Sequence, residues 1–260
     1  MSDNVYIYSY IFILGAVLGS FLNLVILRVP KNISIITPSS HCSFCKHKLK
    51  FYENIPLLSF IFLRAKCKSC KKHISWQYFF VELLCAFGLV LLYKQSALNW
   101  HFLALVIYFS LLLVLSFIDL KYKAIPSVLL FFCLVSAIFI PSNFSYALKN
   151  ALLFTGGIYL INYFLSFYIQ NIKARFLKNS ELLKQEALGS GDIPIVTSIG
   201  LIFSLKAGLS AIFLAAIFAL IPALINSFYK KSIETAFVPF LALGIFCEYV
   251  FGISGFGVLK

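Results

Sequence analysis

Long apolar stretches separated by short polar connections run through the whole chain. A helix needs roughly 20 apolar residues to cross the hydrocarbon core of a bilayer. Eight apolar segments lie at residues 5–27, 77–93, 100–118, 125–140, 147–170, 193–204, 207–228 and 236–255. The fourth and sixth are short, as expected for segments that are tilted, buried among neighbours or partly re-entrant. The pattern predicts an all-α polytopic integral membrane protein with about eight transmembrane helices and a small cytosolic insertion.

The composition excludes an ordinary soluble domain. Hydrophobic residues make up 61% of the 260 residues and charged residues only 12%, whereas soluble domains carry roughly 25% charged residues. The first apolar segment is interpreted as a retained helix and not as a cleavable signal peptide. Residues 1–10 contain Asp3 and no Lys or Arg, so the basic leading region of a signal peptide is missing.

The basic residues are unevenly distributed, and their distribution predicts the orientation. Ten of the 22 lie between Arg28 and Trp76, directly after the first apolar segment. If that loop is cytoplasmic, 18 basic residues fall in the inside segments and four fall outside. This asymmetry follows the positive-inside rule and predicts that both termini are outside. Topology and contact with lipid headgroups therefore account for the formal net charge of +13, without a nucleic-acid partner.

The insertion at residues 28–76 is too small to fold around an apolar core of its own, and it contains two CxxC pairs. Cys42 and Cys45 form the first pair and Cys67 and Cys70 the second, with 21 residues between the pairs. Four thiolates at this spacing are typical of a tetrahedral structural zinc site. Two disulfides are the main alternative, although the thiols of a cytosolic loop stay reduced. Three histidines of the same loop are interpreted as solvated: His41, His47 and His73.

Two aspartates are predicted to lie at the same depth in the membrane. Asp119 follows the third apolar segment and Asp192 precedes the sixth, and the orientation above places both on the cytoplasmic side. An acid inside a membrane is costly and marks a functional site by default. Gly189 and Gly191 precede Asp192, and their lack of side-chain bulk lets a backbone or a substrate approach closely. Each acid also has a structural interpretation, Asp119 as a solvated helix end and Asp192 as an N-cap before Pro194.

An ordered set of motifs resembles the prepilin peptidase family, the bifunctional leader peptidases and N-methyltransferases of type IV pilus and type II secretion systems. The matching segments, in chain order, are residues 19–30, 42–45, 53–59, 67–70, 78–84, 116–126, 189–192 and 238–244. They extend over nearly the whole chain. The specificity of the resemblance comes from the order of the motifs and not from any one of them.

The resemblance implies a GxGD aspartic protease with Asp119 and Asp192 as its catalytic pair and Gly189 and Gly191 in the supporting turn. The implied substrates are type IV prepilins and pseudopilins, whose basic leader is cut after Gly and before a hydrophobic residue, usually Phe. A close carboxylate pair suits this chemistry because the two groups share one proton, so that one activates water and the other polarises the scissile carbonyl. The family usually has Lys two residues after the second Asp, and Pro194 occupies that position here.

The resemblance also implies that the new amino terminus is methylated with S-adenosylmethionine. Glu53, Asn54 and Glu82 are the candidates for binding this cofactor, with Asn23 and Arg28 as further candidates near the loop. Each of them can equally be interpreted as a structural polar contact. The implied location is the inner (cytoplasmic) membrane of a bacterium.

The predicted organisation has three parts: a first transmembrane helix at 1–27, a cytosolic zinc-binding, methyltransferase-associated loop at 28–76, and a transmembrane aspartic peptidase domain at 77–260. One alternative is another GxGD-type intramembrane aspartic protease, of the presenilin or signal-peptide-peptidase kind. A second is a non-enzymatic zinc-binding membrane transporter or scaffold whose acids bind cations. Aspartates on opposite membrane faces would favour transport, whereas aspartates close enough to share a proton favour catalysis.

Overall fold

The described part of the chain is helical and contains no β-strand. The computed structural model describes residues 2–42, 44–173, 189, 191–228 and 236–255. Its α-helices are α1 (Ser2–Arg28), α2 (Leu58–Phe62), α3 (Trp76–Ser96), α4 (Trp100–Tyr122), α5 (Ser127–Ile138), α6 (Phe144–Phe167), α7 (Asp192–Ile202), α8 (Leu205–Phe228) and α9 (Val238–Phe251). Single 3-10 turns at Val29–Lys31 and Phe51–Asn54 belong to the loop after α1, and a π-helical stretch, Tyr168–Lys173, follows α6.

Each of the eight predicted apolar segments contains one of these helices, so the prediction of an all-α membrane protein is confirmed. Among the described residues, five helical stretches are long and apolar enough to cross a bilayer: Val5–Lys31, Trp76–Ser96, Trp100–Tyr122, Phe144–Asn171 and Leu205–Ile225. Helices α5, α7 and α9 are apolar but have only 12, 11 and 14 residues. How many of the eight cross the membrane stays a prediction.

The chain divides into two compact units, residues 1–106 and 107–260. In the first unit α1 packs closely against α3 through a small-residue face. A Cβ on Gly15 would lie 2.7 Å from the Cα of Ala86, and one on Gly19 would lie 2.7 Å from the Cα of Glu82. Lipid supplies no hydrophobic drive for helices to associate, so such close backbone packing and interhelical hydrogen bonds hold them together.

In the second unit α7 packs against α6 in the same way. A Cβ on Gly200 would lie 2.7 Å from the Cα of Ala151. The hydroxyls of Thr155 on α6 and Thr197 on α7 are 2.7 Å apart. Helix α7 therefore has a fixed neighbour along its length, which matters because it begins with Asp192.

The C-terminal end of helix α9 is anchored by a buried acid. Glu248, near the end of this helix, is only 2% exposed. Its carboxylate accepts hydrogen bonds from the Ser210 hydroxyl of α8 at 2.8 Å and from the backbone N–H and hydroxyl of Ser254. These donors satisfy an acid that would otherwise be costly to bury.

We expect Gly200→Ala to lower the melting temperature of the detergent-solubilised protein. The new methyl group would force α6 and α7 apart, and overpacking of this kind costs about 1–3 kcal/mol. Gly156→Ala is the matched control, because no atom lies within 4 Å of the added Cβ and Ala favours a helix over Gly by about 1 kcal/mol. Equal melting temperatures for the two variants in a thermal unfolding experiment would contradict this account of α6–α7 packing.

Candidate active site

Asp119 lies in the last turn of α4 and is 7% exposed. One of its carboxylate oxygens, Oδ2, accepts a hydrogen bond of 3.2 Å from the backbone N–H of Val238. Val238 is the first residue of α9, so this donor is one of the N–H groups that a helix leaves unsatisfied at its start. The interpretation of Asp119 as a solvated helix end is therefore wrong, because its carboxylate is buried and bound to the chain.

Asp192 is the first residue of α7 and is 8% exposed. Its backbone N–H donates to the carbonyl of Gly189 at 3.1 Å. The N-cap position belongs to Gly191, which has no capping side chain, so the interpretation of Asp192 as the N-cap is wrong. Pro194 lies in the first turn as expected, where its missing N–H costs no hydrogen bond within the helix.

The two glycines beside Asp192 have different surroundings. A Cβ on Gly191 would lie 2.9 Å from Cδ1 of Ile125, which belongs to the connection between α4 and α5. A Cβ on Gly189 would lie 3.7 Å from Oδ2 of Asp192. The side chain of Ile125 thus occupies the space beside Gly191, whereas a Cβ on Gly189 would make only an ordinary contact with the Asp192 carboxylate.

Asp119 and Asp192 are both buried acids at helix ends. Both belong to the unit formed by residues 107–260, one at the end of α4 and one at the start of α7. Two carboxylates held close together in poorly solvated surroundings cannot both ionise cheaply, so a pair of this kind shares one proton. An aspartic protease requires such a pair for general acid–base catalysis.

The four cysteines of the loop form one cluster, with all four sulfur atoms within 4.8 Å of one another. Cys42 Sγ is 3.8 Å from Cys70 Sγ, and Cys45 Sγ is 3.8 Å from Cys67 Sγ. A tetrahedral zinc ion with Zn–S bonds of about 2.3 Å separates its sulfurs by about 3.8 Å, whereas a disulfide needs about 2.05 Å. The geometry is compatible with one structural zinc ion and not with two disulfides.

Each CxxC pair is presented by the same backbone turn. In the first, the Cys42 N–H donates to the His47 carbonyl and the Lys46 N–H donates to the Cys42 carbonyl, both at 2.9 Å. Cys67 and Lys71 repeat these bonds in the second pair. Lys46 and Lys71 have φ values of 55° and 57°, which bend the chain so that both thiols of a pair point to one side.

The thiols of the cluster have unequal proton affinities. Burial acts to raise the pKa of Cys42, but the N–H groups of Cys45 and Phe44 outweigh it and lower the pKa to about 7. The N–H of Cys70 lowers the pKa of Cys67. The His47 N–H acts to lower the pKa of Cys45, but burial and the neighbouring thiols raise it to about 11. A divalent cation would displace the retained protons, so its affinity falls in acid.

Glu53 connects the two halves of the cysteine cluster and is 5% exposed. Its Oε2 lies 3.2 Å from Nε2 of His47 and accepts the Lys50 N–H at 3.0 Å, and its Oε1 lies 3.8 Å from Nζ of Lys68. The Lys50 N–H and His47 lower the pKa of Glu53. The interpretation of His47 as a solvated residue is therefore wrong, whereas His41 and His73 are exposed as expected.

The other candidates for cofactor binding are arranged around the segment that follows Glu53. Glu82 of α3 is 7% exposed and accepts the Leu57 N–H at 2.7 Å. Leu57 has φ 61° and ψ −51°, a conformation that costs energy for a branched residue. Asn54 is exposed. The fold thus connects Glu82 directly to the Glu53–Leu57 segment and leaves Asn54 accessible at its surface.

Asn23 and Arg28 form structural contacts. Asn23 donates to the carbonyl of Tyr78 at 3.1 Å and links α1 to α3. Arg28 donates to the carbonyls of Ser34 at 3.0 Å and Pro38 at 2.7 Å, and so shapes the start of the loop. Their hydrogen bonds match the structural interpretation of both residues.

Comparison with known proteins places these residues within matched regions. The model described as the Type IV leader peptidase family matches residues 106–224, which include both aspartates. The model described as the Bacterial Peptidase A24 N-terminal domain matches residues 13–96, which include the four cysteines.

A Vibrio cholerae protein named prepilin leader peptidase/N-methyltransferase is 30% identical over 213 residues, covering 77% of this chain and 79% of its own length. The chain belongs to the Type IV leader peptidase family. A Bacillus subtilis protein of the same name is 29% identical over 95% of both chains. A Myxococcus xanthus protein of that name is 31% identical over 80% of this chain and 59% of its own length. No solved structure matches the chain significantly.

The hydrogen-bond and ion-pair partners of Asp119 and Glu53 were not predicted from the sequence. The donor to Asp119, Val238, is 119 residues away in the chain, and only the proline at position 239 signals that a helix begins there. The role of His47 and Lys68 as partners of Glu53 has no sequence signal beyond their proximity to the CxxC pairs.

We expect Cys45→Ser to reduce bound zinc from about one ion per chain to well below half, because structural zinc sites use four ligands. Cys247→Ser is the control, since Cys247 lies in α9 outside the cluster and its loss should leave the zinc content unchanged. Metal analysis of the purified variants measures both. Lowering the pH from about 7.5 to about 5 should also release the ion, because protons then compete for the thiolates. Full zinc retention in Cys45→Ser would contradict a four-cysteine site.

Proposed function

We propose that this protein cleaves the basic leader peptide of type IV prepilins and pseudopilins and methylates the new amino terminus. The observation that carries the proposal is that a chain of the Type IV leader peptidase family has two buried aspartates, Asp119 and Asp192, at helix ends of one unit. Relatives named prepilin leader peptidase/N-methyltransferase support both activities. The proposed cleavage site follows Gly and precedes a hydrophobic residue such as Phe.

In the proposed mechanism the aspartate pair holds one proton. The ionised carboxylate takes a proton from the attacking water, and the protonated one donates a hydrogen bond to the scissile carbonyl oxygen. The Val238 N–H holds one oxygen of Asp119, and the first turn of α7 holds Asp192. These contacts orient the acids before the substrate arrives, so that little reorganisation is needed during the reaction.

The location of both acids at helix ends of one unit supports proteolysis over the transporter alternative, which aspartates on opposite membrane faces would favour. The motif order and the cysteine loop support a prepilin peptidase over a protease of the presenilin kind. Pro194 replaces the lysine that is usual in the family. We propose that catalysis proceeds without that lysine, since both aspartates and both glycines of the turn are present.

We propose that residues 28–76 form a methyltransferase-associated loop whose four cysteines hold a structural zinc ion, between a first transmembrane helix at 1–27 and the peptidase domain at 77–260. S-adenosylmethionine would supply the methyl group. Asn54 and Glu82 are the proposed binding residues, because Asn54 is exposed and Glu82 orients the backbone that follows it. Glu53 adds to this site mainly by holding the two halves of the loop together.

The protein is a multi-pass membrane protein, and we propose that it lies in the bacterial inner membrane. The 18 to four distribution of basic residues supports both termini outside, with the loop and the aspartates on the cytoplasmic side. Part of this count, from Arg175 to Lys184 and at Lys230 and Lys231, lies outside the described residues. Basic prepilin leaders would then meet the catalytic pair from the cytoplasm.

We expect Asp119→Asn and Asp192→Asn each to lower prepilin cleavage by at least about 10³-fold, because neither single carboxylate can provide both the general base and the general acid. Asp3→Asn is the matched control, because Asp3 is the one remaining aspartate of the sequence, and this variant should cleave normally. Purified protein is incubated with a prepilin, and mass spectrometry of the product measures cleavage. Zinc content and membrane insertion should be unchanged in all three variants. Normal processing by either catalytic-site variant would refute the proposed mechanism.

Methylation should be separable from cleavage. With S-adenosylmethionine added, we expect Asn54→Ala to lower the methylated fraction of the product at least about tenfold while cleavage stays within about twofold, since an exposed side chain can be removed without a folding penalty. The mass of the mature product, with and without the methyl group, measures both activities in one spectrum. Lys48→Ala, another exposed position of the loop, is the control. An unchanged methylated fraction in Asn54→Ala would remove this residue from the proposed site.

A further inference from the structure

The helices that carry the two aspartates are joined by a buried hydrogen bond far from the aspartates themselves. Tyr108 of α4 and Ser198 of α7 are both 0% exposed. The Tyr108 hydroxyl lies 2.7 Å from Oγ of Ser198. No motif of the family resemblance includes either residue.

The direction of this hydrogen bond follows from the number of donors. Oγ of Ser198 lies 2.6 Å from the carbonyl of Ile195 and donates its only proton there. Because a serine hydroxyl has a single proton, Tyr108 must be the donor to Ser198. The result is a chain from α4 through the Ser198 hydroxyl to the backbone of α7, in which every donor has an acceptor.

The part of α4 that carries Tyr108 also packs against α9. The ring of Phe109 packs edge-on against Phe246 and Tyr249, with centroid distances of 5.4 Å and 5.5 Å. At its C-terminal end, α4 contacts the start of α9 through the hydrogen bond from the Val238 N–H to Asp119. The bond between Tyr108 and Ser198 therefore links α4 directly to α7, while the contacts with α9 hold another side of α4.

The distances along the helices explain how the bond between Tyr108 and Ser198 can influence the positions of the two aspartates. Asp119 follows Tyr108 by 11 residues and Ser198 follows Asp192 by six, which correspond to about 16 Å and about 9 Å of helix at 1.5 Å per residue. A helix over such lengths behaves as a stiff rod. A shift or rotation at Tyr108 is therefore transmitted to Asp119, and one at Ser198 is transmitted to Asp192.

We propose that Tyr108 is a positioning residue that acts with Ser198 to set the separation of Asp119 and Asp192. The proposal rests on the proposed peptidase function. Tyr108 touches no reacting atom in this account. Its hydroxyl keeps α4 and α7 in the one arrangement that holds the carboxylates at a distance where they share a proton.

The test compares Tyr108→Phe, Ser198→Ala and the double variant in lipid nanodiscs, with kcat and KM measured for cleavage of a purified prepilin. We expect each single variant to lower kcat about three- to tenfold with KM unchanged, since losing a buried hydrogen bond or misplacing a catalytic group by a fraction of an ångström has effects of this size. The double variant should be no slower than the slower single variant, because the two residues act as one unit.

The matched control is Thr155→Val. This variant removes the hydrogen bond between the hydroxyls of Thr155 and Thr197, which are also 2.7 Å apart. This pair joins α7 to α6, and the close contact of Gly200 with Ala151 still holds these two helices together without it, so kcat should stay within about twofold of the wild type. The melting temperature of every variant shows whether a lower kcat comes from a misplaced aspartate or from a partly unfolded protein. If Tyr108→Phe does not fold, the kcat of Ser198→Ala tests the proposal.

Unchanged kcat in the folded single variants, additive effects in the double variant, or an equal loss in Thr155→Val would each overturn the positioning role. Wild-type protein and Asp119→Asn are assayed in parallel. If the wild type does not cleave, or if Asp119→Asn cleaves normally, the proposed function fails. If both behave as expected and only the Tyr108 and Ser198 variants are normal, the positioning role alone is wrong.

Discussion

Two buried carboxylates at the ends of apolar helices are the constraint on which the second unit of this protein depends. Their loss of hydration opposes this arrangement. The surrounding structure must therefore hold them in place. Val238 donates to one oxygen of Asp119, and α7, which begins with Asp192, is fixed by the close contact of Gly200 with Ala151.

The first unit meets a similar constraint with different chemistry. Its loop has too few apolar residues for a core, and it is organised by four converging thiols and by one buried acid, Glu53, that joins both halves. The helices beside the loop pack through Gly15 and Gly19. In both units, polar clusters and small residues take the role that hydrophobic burial has in a soluble protein, because lipid does not drive helices together.

Local chemistry explains which sequence-based predictions were correct. The two CxxC pairs converge because each short turn presents both of its thiols, so the spacing alone predicts a site. The capping interpretation of Asp192 was wrong because a cap is defined by backbone geometry, and the helix begins one residue earlier than that interpretation assumed. His47 was misinterpreted because its partner is a buried acid, Glu53, whose burial depends on the folding of the whole loop.

The sequence by itself determined the class of the protein, the positions of its eight apolar helices and the cysteine cluster. These properties depend on the length of apolar runs and on residue types at short spacing, which need no knowledge of distant contacts. The tertiary structure alone decided that Val238 binds Asp119 across 119 residues and that Tyr108 meets Ser198 across 90. Such pairs form only when helices pack in one arrangement, and that arrangement is selected by shape and hydrogen bonding between surfaces that are far apart in the chain.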